Sequence, residues 1–281
     1  MTHNAIRRIR GFTLIELAIV VMVLGLLAAA ALRYNAMSTD SANITQLNAT
    51  LDVIDNAIFN FRIANGRLPC PANISYSENN TSFGQETDSS GDGVCTGYNF
   101  ENTGTDPNSG ESLYDSSTSS QVVAGGVPTK ALQIADKYAY DPWGRKILYA
   151  VDKRITATSA FTTYPIYNTT IGAIVVKKHA GDTLANAITI KGVYALVSSG
   201  ENGHGGYVRN ASSTSTVYNA GSTNTDEQKN CHCNSSATAT SFDRDFVQNS
   251  KSYDSTSLSD SFDDVVRFKT RFQLASPSDI Q

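Results

Sequence analysis

Arg7-Arg8-Ile9-Arg10-Gly11-Phe12-Thr13-Leu14-Ile15-Glu16 opens an apolar run that continues to Leu32, and this stretch decides the fold. Residues 12–32 carry one charged side chain, Glu16. As an α-helix these 21 residues measure roughly 32 Å, enough to cross the hydrocarbon core of a bilayer. Arginines at 7, 8 and 10 stand directly before the run, so the positive-inside rule puts residues 1–11 in the cytoplasm and the chain beyond residue 32 outside. A carboxylate this far into a span costs about 3 kcal/mol even on the lenient insertion scale. Either Glu16 reaches headgroups and water, or it has a function.

Basic residues, then Gly11-Phe12-Thr13-Leu14-Ile15-Glu16 and a continuous apolar helix, resemble the class III signal of type IV pilins and type II secretion pseudopilins. The resemblance implies that a prepilin peptidase cuts between Gly11 and Phe12 and that the new Phe12 amine is N-methylated. It implies that Glu16, then the fifth residue, pairs with the Phe12 amine of a neighbouring pilin or pseudopilin subunit as helices stack into a filament. In lipid the carboxylate has no partner, whereas a filament core offers a cation whose attraction is strong where water is excluded, although desolvation cancels part of it. Gly11 suits a protease that needs access to the backbone. The implied location is the bacterial inner membrane, single-pass with the C-terminal domain periplasmic, or an assembled pilus or pseudopilus. Two other readings stay open. Ala28-Ala29-Ala30-Ala31 would serve as the cleavage site of an ordinary secretory signal, and a plain signal anchor needs neither Glu16 nor a Gly-Phe junction.

The helix is expected to continue beyond the apolar half. Ile44, Leu47, Leu51, Ile54, Ile58 and Phe61 recur at steps of three and four among polar residues, the period of one buried stripe. No proline precedes Pro69, and Gly66 supplies the stop. Residues 12–65 would form a helix of roughly 80 Å. Many proteins of this family carry a proline just after the apolar half, where Ala31, Leu32 and Arg33 stand here, so a kink at that point is in doubt. The expected organisation is a leader (1–11), a transmembrane or filament-core helix (12–32), its amphipathic continuation (33–66) and a pilin-like periplasmic or extracellular globular domain (67–281). The fold class is α+β, a long N-terminal helix packed on a head with an antiparallel β-sheet and long loops.

The formal charge of the 281-residue chain is −4, and loss of the three leader arginines takes it to −7. No nucleic-acid partner is predicted from such a balance. Cys70, Cys95, Cys231 and Cys233 all lie on the non-cytoplasmic side, where disulfides are the default. Four cysteines allow three pairings that the sequence does not separate. Cys70–Cys95 is favoured, because a staple across that irregular stretch adds about 3 kcal/mol in the chain-entropy model. Cys231-His232-Cys233 is then left to close on itself or stay reduced. Zinc is the sharper reading of this triplet, but adjacent residues do not easily supply three tetrahedral ligands.

Residues 67–146 read as mainly irregular, with a short helix at 131–135. Asp141-Pro142-Trp143-Gly144 resembles the turn that enters the sheet in secretion pseudopilins, with Trp143 as a core anchor. Strands are expected at 147–151, 171–176 and 187–197, rich in β-branched residues. A last strand is expected over 266–274. There Arg267, Lys269 and Arg271 would face away from the core, as a solvated edge or toward an acidic partner. Asp88-Ser89-Ser90-Gly91-Asp92-Gly93 resembles half of a calcium loop, but Asn99 stands where a bidentate Glu is needed, so an Asx-rich turn is the plainer reading. Secretion pseudopilins bind calcium after a strand comparable to 187–197. That resemblance makes Glu201, Asn202, Asp226 and Glu227 candidate ligands, against a glycine-rich turn that merely caps a hairpin. His204, among glycines, reads as exposed, and Asp263-Asp264 as a structural pair. No other cofactor is expected.

No Gly-x-Ser-x-Gly elbow, phosphate-binding loop or His-Glu-x-x-His occurs, and no enzymatic activity is expected. The large head and long loops favour a minor or accessory filament subunit. The alternative is a membrane-anchored extracytoplasmic binding module or enzyme that uses the N-terminal helix only as an anchor.

Overall fold

The computed structural model describes residues 14–88, 91–96, 100–101, 122–163, 172–209, 222–236, 240, 242–252 and 261–275. The chain divides into two compact units, Met1–Gln46 and Leu47–Gln281. Helix α1 (Leu14–Asn65) is a single helix without interruption, and its sequence holds no proline and only Gly25 as a weak point. In the first unit its large apolar side chains, from Leu14 to Leu27, stand exposed. Among the described residues no helix is long and apolar enough to cross a membrane. Gly66 ends α1 at φ +64°, its N–H donating to the Arg62 carbonyl at 2.8 Å.

In the second unit the described strands are β1 (Phe100–Glu101), β2 (Val122–Gly126), β3 (Arg145–Lys146), β4 (Leu148–Asp152), β5 (Ile174–Lys177), β6 (Thr189–Ser198), β7 (Tyr207–Val208), β8 (Asp245–Val247) and β9 (Val265–Thr270). Two short helices, α2 (Ala160–Thr163) and α3 (Thr225–Cys231), lie between them. The main sheet runs β1-β2-β4-β6-β5-β8, with β9 also paired to β6, and β3 and β7 form a separate ribbon. Its ladders are antiparallel except one: β5 and β8 pair in parallel, so the sheet is mixed rather than purely antiparallel.

Alternation along the strands builds two cores. Leu47, Leu51, Ile54 and Ile58 of α1 are fully buried against Val123, Tyr149, Val151, Tyr194 and Leu196. Each such side chain contributes roughly 1.5–3 kcal/mol. The intervening residues, Ala124, Ala150, Ala195 and Val197, face the other way and pack with Phe242, Phe246 and Val266. A register shift between Gly192 and Tyr194 lets Val193 and Tyr194 both join the helix-side core.

Several elements depart from the sequence reading. Residues 131–135 form turns with Gln133 at φ +56°, and a 3₁₀ turn follows only at Asp136–Ala139. β2 lies in the stretch read as irregular; its five residues are all buried and include two glycines, so it shows no alternation. β9 ends at Thr270, where the Gln273 side chain closes a capping box and starts a 3₁₀ turn, Arg271–Leu274. Of its three expected cations, Arg271 is buried in the turn after the strand, while Arg267 and Lys269, partly exposed, meet polar side chains of α1. Arg267 pairs with Asp52 and donates to Asn48 Oδ1 at 2.9 Å, and Lys269 lies 3.5 Å from Asp55. The Tyr194 hydroxyl donates to the same Asp55 at 2.8 Å.

Candidate metal centre

The Asp141 turn fixes the floor of the site. Asp141 Oδ1 accepts from the backbone N–H of Trp143 and Arg145, at 3.1 and 2.8 Å, while Oδ2 accepts from the Ser198 hydroxyl at 2.8 Å. Gly144 takes φ +82°, which the turn requires. Trp143 is half-buried at the edge of the helix-side core. Arg145 then reaches across and donates to the carbonyls of Gly200 and Glu201, at 2.7 and 2.9 Å. The loop leaving β6 is thereby clamped. Gly200, at φ +62°, passes so close to Asp263 that any side chain there would strike its carboxyl.

Onto this loop come three carboxylates from two distant segments. Glu227 sits in the first turn of α3, which Asn224 caps by accepting from the N–H of Asp226 and Glu227 at 2.9 and 3.4 Å. Asp263 and Asp264 lie just before β9 starts. The side chains of Glu227, Asp263 and Asp264 are buried, with an oxygen from each inside one 4.8 Å cluster. Asn202 donates from its side-chain amide to Glu227 Oε1 at 2.7 Å and from its backbone to Asp263 Oδ2 at 2.8 Å. The Asp263 N–H donates to Glu227 Oε1 at 3.2 Å, and the Asn230 amide to Asp264 Oδ2 at 3.0 Å. A second oxygen of each, Glu227 Oε2, Asp263 Oδ1 and Asp264 Oδ1, is buried without an N–H or O–H donor in hydrogen-bond geometry. The Glu227 and Asp263 carboxyls lie close enough to share a proton, and the Ser222 hydroxyl stands near Glu227.

Burial raises the pKa of all three groups, and their mutual repulsion adds to it for the two aspartates. Asp263 is pushed up to about 7. Three buried carboxylates, each with an oxygen not held by an N–H donor, fit a hard divalent cation such as calcium, which takes oxygen ligands and would offset two of their three negative charges.

Of the ligands proposed from sequence, Glu227 and Asn202 are in this cluster, Asn202 as a brace through its N–H groups. Glu201 turns outward to Lys251 at 3.4 Å. Asp226 accepts from the Ala180 N–H at 2.7 Å and lies 3.0 Å from His179 Nδ1. Asp263 and Asp264, read as a structural pair, supply the missing carboxylates. The Asp88 carboxylate accepts from the N–H groups of Gly91 and Gly93, both at 2.7 Å, and pairs with Arg67, so it closes a turn; Asn99 lies outside the described residues. His204 is buried rather than exposed, because Gly203 and Gly205 at φ +69° and +68° fold the loop inward around it. Disulfides join Cys70 to Cys95 and Cys231 to Cys233. Glu16 is exposed on α1, and Gly11 and Phe12 lie outside the described residues.

Residues 6–32 match the model of the prokaryotic N-terminal methylation motif. No curated protein and no solved structure matches the chain.

Proposed function

We propose, from a chain that carries at residues 6–32 the signature of type IV pilins and pseudopilins, that it is a minor structural subunit of a type IV pilus or type II secretion pseudopilus. The motif carries this reading: it makes the chain a pilin-like precursor and implies processing by a prepilin peptidase and assembly with other pilin subunits. Cleavage falls between Gly11 and Phe12, and the Phe12 amine is methylated. Residues 12–32 reside in the inner membrane before assembly and in the filament core after it. The exposed apolar surface from Leu14 to Leu27 supports both residences, since a patch of that extent needs lipid or protein to cover it. Glu16 pairs with the Phe12 amine of the next subunit and sets the register of docking. A head of more than 200 residues with long loops favours an accessory role over a densely packed major subunit. In the head, Glu227, Asp263 and Asp264 hold calcium, which ties the loop after β6 to the entry of β9; their oxygens not held by an N–H donor favour this.

The first test is the mass of the N-terminal peptide of the protein from its native cells. A peptide that starts at N-methylated Phe12 is the expected result; an intact residue 1, or a start near Ala31, overturns the reading. Glu16→Ala should leave cleavage intact and block incorporation into sheared filaments.

A further inference from the structure

We infer that Cys231, Cys233 and His204 form a second, redox-gated metal site: closed as a disulfide, and once reduced a two-thiolate, one-imidazole site for zinc. It shares α3 and the loop after β6 with the carboxylate cluster but uses none of the three carboxylates.

α3 ends at Cys231 and His232 takes the left-handed conformation, φ +49°, which turns the chain back so that Cys233 meets Cys231. The Cys233 N–H donates to the Gln228 carbonyl at 3.1 Å and fixes that turn. Facing it is His204, 2 % exposed, with Nε2 3.3 Å from Cys233 Sγ. The His204 backbone is held by its N–H, which donates to Asn202 Oδ1 at 2.9 Å. The ligand atoms of His204, Cys231 and Cys233 all lie within 4.8 Å of one another. Gly205 makes this approach feasible, since a side chain at that position would strike Cys231. His232 takes no part. Its ring lies 4.2 Å from that of Phe242 and 5.2 Å from that of Phe246, and burial lowers its pKa to about 3. The ligands therefore come from two segments rather than from one triplet, which removes the geometric objection to a tetrahedral ion there. A cavity of about 20 Å³ borders Cys231 and Gly205, with Ile74, Leu148, Lys146 and Ser199 also in its wall, and has room for one water as a fourth ligand.

The gating chemistry is thiol–disulfide exchange. Cys231 is half-buried and Cys233 buried, so an incoming dithiol attacks the Cys231 sulfur. The Cys233 sulfur leaves as a thiolate beside His204 Nε2. The second thiol of the reductant then displaces Cys231, leaving two protein thiols and an oxidised dithiol. Zinc binding releases one proton from each thiol, and the neutral imidazole gives its lone pair. The two disulfides of the chain differ in their resistance to this attack. Closing a three-residue ring stabilises less than closing the span from Cys70 to Cys95, and both sulfurs of that pair are deeply buried.

The test uses the full chain with calcium in excess, so that the carboxylates are filled. Graded dithiothreitol followed by alkylation and mass spectrometry should label Cys231 and Cys233 well before Cys70 and Cys95. Zinc titrated against a chromophoric chelator should then bind one per chain after this mild reduction and not before it. His204→Gln should weaken that binding at least tenfold while leaving the alkylation order unchanged, and Cys231→Ser should abolish it. Simultaneous reduction of both pairs, equal zinc uptake by the oxidised chain, or unchanged affinity in His204→Gln overturns the proposal.

Discussion

Asp263 shows how a residue with an ordinary sequence environment becomes unusual in the fold. Its folded pKa of about 7 lies above the roughly 3.9 of an unfolded aspartate, so between those values the folded chain holds an extra proton. The stability from that proton is complete below about pH 4 and is lost as pH rises through about 7. Calcium must displace it, so the increment in Tm that calcium gives over chelator should grow from pH 5 to pH 8. His232, with its pKa lowered to about 3, has the opposite sign, adding stability as pH rises toward about 6.5. It acts with and without the ion, so the increment is insensitive to it. Calcium at about 100 times its Kd should add about 2.7 kcal/mol, and Asp263→Asn should remove most of that gain. An increment that shrinks with rising pH, or one retained in the variant, rejects the site. Glu227 and Asn202 were reached only through the resemblance to pseudopilins that bind calcium after a comparable strand. That resemblance named Glu201 and Asp226 as well, and those two turn elsewhere. Asp263-Asp264 was not legible, since neighbours on a strand face opposite sides. Both turn inward only because they precede the first residue of β9.

At the level of elements, the stripe on α1 was the clearest message in the sequence, and Leu47, Leu51, Ile54 and Ile58 are all fully buried. Leu51→Ala should cost about 2–5 kcal/mol in urea denaturation. The opposite message, the alternation of β9, was legible in period but not in partner: its cations meet the polar side of the same helix. Here burial separates two aspartates one turn apart. Asp52 is largely exposed to solvent, so Asp52→Ala should cost no more than about 1 kcal/mol. Asp55 is mostly buried and accepts from the Tyr194 hydroxyl, so Asp55→Ala should cost about 1–3 kcal/mol. Equal losses would mean that the β9 cations, not the buried hydroxyl, hold this face. Between β5 and β8, the parallel pair is bridged by a buried ion pair, Lys177 to Asp245 at 2.6 Å. No local pattern announces it, because β8 is three residues long and its partner lies nearly 70 positions away.

For the molecule as a whole, the division at Gln46 and Leu47 falls inside α1, within the stretch expected to be amphipathic. A chain that begins at Leu47 should therefore be monomeric and soluble by gel filtration and melt cooperatively, whereas the full chain should need detergent; aggregation of the short form would show that its apolar stripe is not covered. The N-terminal motif was legible because it is a short, ordered run of residue types, and a family model matches it over residues 6–32. The head was legible only in part because its order rests on long-range pairings. One of these governs when the head becomes complete. β9 pairs with β6, Leu274 packs in the helix-side core, and Asp263 and Asp264 complete the carboxylate cluster, all from the last twenty residues described. A helix face near residue 50 is thus sealed by a segment about 200 residues later in the chain. Until that segment is made the stripe from Leu47 to Ile58 has no complete cover, so the head folds late and at the slow pace of high contact order.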